Sequence, residues 1–253
     1  MKKKFLAVLI TATMMLTACS SDGNLEETSG TGPNGTETED TEGTTTPEAT
    51  VTETTAGTVV TETTVDEPVQ VFEYITFGHY EQDGDESNGP EPIEWMVLSE
   101  EDGRMLLLSR YILDYQAYNV DYDDVTWETC TLRKWLNEDF YNAAFDASEQ
   151  EQILTVTNSN PENVSPYSNS VGGNDTEDKI FLLSSDEADT LFINDDARAV
   201  DDCDWWWLRS PGYINNRAAV VLTIGEIYNH GHIVSFNYYD HGVRPAFWLD
   251  LDT

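Results

Sequence analysis

Near the end of the chain His230 and His232 stand two apart, on one face if the segment is a strand, and His241 follows with Asp240 beside it. Two or three imidazoles and a carboxylate form a donor set that suits zinc. Gly231 between the first pair reads as a turn, however, and no helical spacing fixes the geometry, so solvated hairpin residues are the expected role and no metal is assigned. Asp83, Asp85, Ser87 and Asn88-Gly89 echo a calcium loop, but the glycine falls one place late and the twelfth-position glutamate is missing. Asp121, Asp123 and Asp124 form a second acidic cluster. Both are solvated acidic turns first and weak Ca²⁺ sites second. Arg209 and Arg244 lie among apolar residues, where a planar guanidinium could take an anionic ligand or instead pair with an internal carboxylate such as Glu94 or stack on a tryptophan. Tyr228, Asn229, Asn237, Tyr238 and Tyr239 combine rings that stack on apolar faces with amides that bond hydroxyls, the chemistry of a sugar or peptide site.

No catalytic constellation stands out: the chain has no Gly-x-Ser-x-Gly elbow, no His-Glu-x-x-His and no phosphate loop, and its carboxylates are too many to single out a pair. Besides Cys19, the cysteines are Cys130, at an expected helix start, and Cys203, in an acidic loop; whether they form a disulfide stays open.

The elements that must position these residues begin with Trp205-Trp206-Trp207-Leu208-Arg209-Ser210-Pro211-Gly212, a core strand halted by a Pro-Gly turn. Three consecutive indoles cannot all face water cheaply, and alternation sends Trp206 to the face opposite Trp205 and Trp207. The segment from Gly242 to Leu249 reads as a closing strand beside it, with Trp248 in the core. Earlier, Phe72–Gly78, Pro92–Leu98 (with Trp95) and Met105–Leu108 read as an antiparallel opening. Leu132, Trp135, Leu136, Phe140 and Ala143 form one helical stripe, capped by Thr129 or Thr131. Asp146 to Glu149 and Ser184 to Glu187 fit capping boxes. Lys179–Leu183 reads as a strand, Thr157–Glu177 as a long loop, and Ala218–Ile224 with Glu226–Phe236 as a strand pair. The fold class is therefore α+β.

The formal net charge is −36. Between residues 20 and 70 there are twelve Asp and Glu and no Lys or Arg, and residues 71–253 carry 36 acids against nine bases, so the folded part is itself acidic. Such a surface repels phosphate backbones and anionic headgroups, which argues against nucleic acid as a partner. Residues 20–70, rich in Thr, Glu, Gly and Ser, have too few large apolar side chains to repay ordering and read as a disordered tether spanning roughly 40 Å.

At the N-terminus, Lys2-Lys3-Lys4 precedes an apolar run from Phe5 to Leu16, and Leu16-Thr17-Ala18-Cys19 resembles the lipobox of bacterial lipoproteins. That resemblance implies a signal peptide over 1–19, lipidation of Cys19, and a membrane-anchored chain on the extracytoplasmic face of the cell membrane. Two or three acyl chains hold a protein where one would not.

Ile75-Thr76-Phe77-Gly78-His79-Tyr80, Pro92-Ile93-Glu94-Trp95, Leu107-Leu108-Ser109, Leu132-Arg133-Lys134-Trp135-Leu136-Asn137, Phe181-Leu182-Leu183-Ser184, Trp206 to Gly212 and Gly242-Val243-Arg244-Pro245-Ala246 together resemble a bacterial domain family, DUF6273, over nearly everything from Phe72 to Leu249. That family is in turn similar to the C-type lectin-like fold of formylglycine-generating enzymes, through the Trp-rich and closing Gly-x-Arg strands. The resemblance implies a scaffold over 71–253 whose long loops carry ligand contacts. Oxidase chemistry does not carry over, because those enzymes bind copper through a nearby cysteine pair and this domain has only Cys130 and Cys203, far apart in sequence. The expected function is a lipid-anchored surface module that binds a glycan, peptide or protein; the alternatives are an extracytoplasmic enzyme and a purely structural envelope protein.

Overall fold

The computed structural model describes residues 69–200, 205–235 and 241–252. The expectations for Cys19, the tether up to residue 68, Cys203, Asn237, Tyr238, Tyr239 and Asp240 lie outside the described residues.

The chain opens with three antiparallel strands, β1 (Tyr74–Tyr80), β2 (Glu91–Glu101) and β3 (Arg104–Ser109). The β2–β3 turn is tight because Asp102 and Gly103 both take positive φ, the pair of conformations a two-residue hairpin needs. Every side chain from Leu106 to Ser109 is buried, as its unbroken apolar run implies. A short strand, β4 (Asp114–Tyr115), then leads to the helical middle.

That middle is α1 (Thr131–Trp135), a π turn (Leu136–Phe140) and α2 (Tyr141–Ala144). Two sequence expectations change here. The cap is neither Thr129 nor Thr131 but Cys130, whose sulfur accepts from the Arg133 amide at 3.5 Å. The apolar stripe also slips. The wider π turn puts an extra residue into the helix, so the face begun by Leu132 and Leu136 continues through Phe140, Tyr141 and Ala144, and Ala143 is left exposed. Next, α3 (Ala147–Gln150) starts at the expected capping box of Asp146 and Glu149.

The expected long loop is pinned at both ends: β5 (Val156–Asn158) and β6 (Thr176–Asp178) pair antiparallel, leaving 159–175 irregular. The apolar run after β6 is not the expected strand. Residues 180–183 are buried but serve two sheets: Phe181 exchanges both backbone bonds with Ala246, while the Leu183 carbonyl accepts from Arg209. Held between two partners, the run cannot form a ladder with either. Helices α4 (Ser185–Leu191), with the expected Ser184 and Glu187 box, and α5 (Asp195–Arg198) follow.

The tryptophan strand, β7 (Trp205–Pro211), joins β8 (Arg217–Val221) and β9 (Ile227–Ile233) in a meander. The closing segment is two strands, not one: β10 (His241–Val243) runs parallel to β7, and β11 (Ala246–Asp250) pairs with β3. Arg244-Pro245 carries the chain across. The sheets are thus β1-β2-β3-β11 and β4-β10-β7-β8-β9. Under the first, Phe77, Trp95 and Phe247 meet Phe140 and Phe145 from the helical middle, Trp95 and Phe247 edge to face at 4.7 Å. Trp95, Trp206 and Trp207 are fully buried, whereas Trp135, Trp205 and Trp248 are half-buried against the core. Among the described residues no helix is long and apolar enough to cross a membrane.

Candidate functional site

The outer strand β9 carries Tyr228, His230 and His232, and a bulge against β8, with Gly231 at φ +71°, draws the three side chains together. Their rings are neighbours, Tyr228 and His230 stacking at 5.8 Å and Tyr228 and His232 lying at 6.1 Å. Tyr213, just beyond β7, extends the row past His230 at 5.3 Å. In the other direction it runs inward: His232 meets Trp205 at 4.2 Å and His241 at 4.9 Å, and His241 stacks on Trp207 at 4.6 Å. The row has a wet end, where Tyr228 is 37 % exposed, and a dry end at His241. Burial and the neighbouring His232 push the His241 imidazole down to about 4, and burial with Arg217 lowers His232. Both rings are therefore neutral near pH 7, and their surroundings resist a second charge.

Asn229 faces the other way in role. Its carbonyl accepts from Asn163 at 2.7 Å, and the same amide group donates to Pro211 at 3.0 Å, fastening the 159–175 loop to the sheet. Ser170 donates to the Gly212 carbonyl at 2.7 Å, and Asn215 exchanges two bonds with Val171. Val164 and Tyr167 stand out from this anchored loop almost fully exposed.

The arginines part company. Arg209 forks onto Glu187 and donates to the Leu182 carbonyl at 2.9 Å, so its guanidinium serves an internal pair whose acid is Glu187, not Glu94. Burial opposes ionisation of Glu187, but the bonds and charge of Arg209 outweigh it and hold that carboxyl below its ordinary range. Glu94 instead pairs with Arg110 at 2.9 Å. Arg244 lies over the Trp206 ring at 4.8 Å and donates to the carbonyls of Ser109 and Arg110. It also lines a cleft of about 330 Å³ with Arg110, Tyr74 and Tyr111.

Residues 102–251 match the family described as "Domain of unknown function (DUF6273)". The chain belongs to this family. No curated protein and no solved structure matches it significantly. The matched DUF6273 segment contains the row of rings, the tryptophan strand, Arg209 and Arg244. It begins at the β2–β3 turn, although β2 supplies the partner strand of β3.

Other polar groups of the DUF6273 domain are spent internally. The buried Asp178 carboxylate accepts from Arg133, Trp127, Asn158 and Thr176 at 2.5 to 3.0 Å, tying α1 to the β5–β6 ribbon. Cys130 is a free, buried thiol, pushed up to about 12 by burial, which makes it a poor nucleophile.

In the 81–91 loop, Asp83 and Asp85 are occupied in turns, accepting from Asp85, Asn88 and Ser87. The acids that do converge are Glu81, Asp83 and Glu91, with one oxygen of each within 4.8 Å of the others, the only such trio among the described residues. His230, His232 and His241 are not such a group. Sequence reasoning found Asp83 but missed Glu81 and Glu91, whose separation of ten residues looks like nothing until the strand pairing closes it. It also missed Tyr213 and the Arg110 cleft, neither of which has a spacing signal.

Proposed function

We propose that this chain is a lipid-anchored surface module that binds a glycan, its ligand lying along the wet end of the ring row. The observation that carries the reading is the row Tyr213, His230, Tyr228: half-buried Tyr213 just beyond β7 lies against His230, which stacks with Tyr228, the last two exposed on the outermost strand, and each ring has a polar rim. Apolar sugar faces stack on such rings while phenol and imidazole bond hydroxyls. The catalytic alternative has less support. Among the described residues, titratable groups removed from water are bonded into the frame, as with Asp178 and Arg209, or packed against tryptophans, as with His241. We read the domain as C-type lectin-like, on the parallel pairing of the Trp-rich and closing strands and on the long loop fastened beside them. The lipobox resemblance and the acidic tether supply the placement outside the cell, with the membrane as a partner through Cys19.

The test is a glycan array probed with the full-length chain, followed by titration of any hit. Tyr228→Ala and His230→Ala should each weaken binding about tenfold, with Cys130→Ser as a neutral control. Binding that ignores both ring substitutions overturns the site. Turnover of a bound oligosaccharide overturns the binding-module reading itself. Cell fractionation of Cys19→Ala tests the anchor separately, because continued retention in the membrane removes it.

A further inference from the structure

A cleft that shares no lining residue with the ring row lies where the incoming chain, α5 and the end of β3 meet. The cleft of about 330 Å³ is bounded by Gln70 and Phe72 ahead of β1, Met96 of β2, Arg110 and Tyr111 after β3, and Asp196 of α5, with Arg244 also in its wall. Its position is fixed by three elements. Gln70 donates to the Leu191 carbonyl at 2.9 Å and accepts from the Ile193 amide at 2.7 Å, which holds the incoming chain against the α4–α5 connection. Arg110 is held by the Glu94 carboxylate and by the rings of Tyr74 and Tyr111, whose centroids lie 4.6 and 5.0 Å from its guanidinium carbon. Arg244, 1 % exposed, donates to the Arg110 carbonyl at 3.3 Å, so the two guanidiniums come from adjoining parts of the frame.

The composition of this wall is unlike the rest of the domain. Residues 71–253 carry nine basic side chains against 36 acids, yet two of the nine meet here, with Asp196 the one acid in the lining. Beside them lie Phe72 and Met96, an apolar wall. A guanidinium braced by rings and one carboxylate keeps donors for a second oxyanion, and bidentate pairing with a carboxylate is what that fork does best. We propose that this cleft is a binding site for a small organic carboxylate with an apolar body, its anion on Arg110 beside Arg244 and its body against Phe72 and Met96. The volume suits a ligand of amino-acid size.

Phenylacetate and 2-phenylethanol make a matched pair of probes, alike in ring and differing in charge. With the full-length chain carrying ¹³C-methyl methionine, phenylacetate should move the Met96 signal saturably and leave Met105, on β3, in place. 2-Phenylethanol should bind at least about tenfold more weakly, and Arg110→Gln should reduce phenylacetate to the level of the alcohol. Arg110 is partly exposed, so this variant should keep the native near-UV circular dichroism; if it does not, Arg110→Lys, which keeps charge but not the fork, should still weaken phenylacetate selectively. No saturable shift at Met96, equal binding of acid and alcohol, or indifference to both Arg110 substitutions would each overturn the proposal.

Discussion

The asymmetry between Arg209 and Glu187 says what a buried ion pair does for this domain. Arg209 is 4 % exposed, while Glu187 reaches the surface and also closes the α4 capping box by accepting from the Ser184 amide at 2.9 Å. Removing the acid strands a charge in the interior; removing the base leaves a carboxylate that water can reach. Glu187→Ala should therefore cost about 3 kcal/mol in urea denaturation and Arg209→Met about half as much. Equal costs would mean that the cap, not the charge, is what Glu187 provides. Gly225 makes a sharper single-residue case. It sits at φ +82° in the β8–β9 turn, and a Cβ there would lie 1.7 Å from the Asp195 carbonyl oxygen. Gly84, at φ +74°, has open space around it. Gly84→Ala should cost about 1 kcal/mol from backbone conformation alone, and Gly225→Ala about 3 kcal/mol or more because α5 must move. Thermal unfolding of the two variants side by side gives the comparison.

At the scale of elements, the junction of β10 with β7 ties stability to acidity. His241 is buried between Trp205 and Trp207 and faces His232, which has Arg217 nearby. Its folded value of about 4 lies below the ordinary 6.5, so the unfolded chain takes up a proton first as pH falls. Stability present above pH 6.5 is then lost progressively down to about pH 4, by about 3 kcal/mol in full, and His232 contributes with the same sign. Urea midpoints measured from pH 7 to 4.5 should fall, and His241→Gln should flatten the slope. A midpoint independent of pH over that window would remove the assignment. Much of this architecture was legible beforehand: three opening strands, two capping boxes, the β8–β9 pair and the neighbourhood of the tryptophans with the chain end all follow from apolar spacing and turn residues. What failed did so for local reasons. The π turn breaks the 3.6-residue period that the stripe assumed, and 180–183 has strand composition but is shared between two sheets. The closing segment changes sheets at Arg244-Pro245, a step no alternation pattern encodes. Of the ring row, Tyr228 and His230 could be named from sequence, but Tyr213 joins them only through tertiary packing.

Taken whole, the two places proposed for ligands, the ring row on β9 and the Arg110 cleft, share no lining residue. If both bind as proposed, the two sets of substitutions above should act independently. The crossing at Arg244-Pro245 also ties the two sheets to one short segment. Since β10 inserts between β4 and β7 in one sheet and β11 completes the edge of the other, neither layer is whole without residues 241–250. Removing residues 241–250 should therefore open both sheets at once, and loss of the native near-UV circular dichroism across the whole domain is the expected readout.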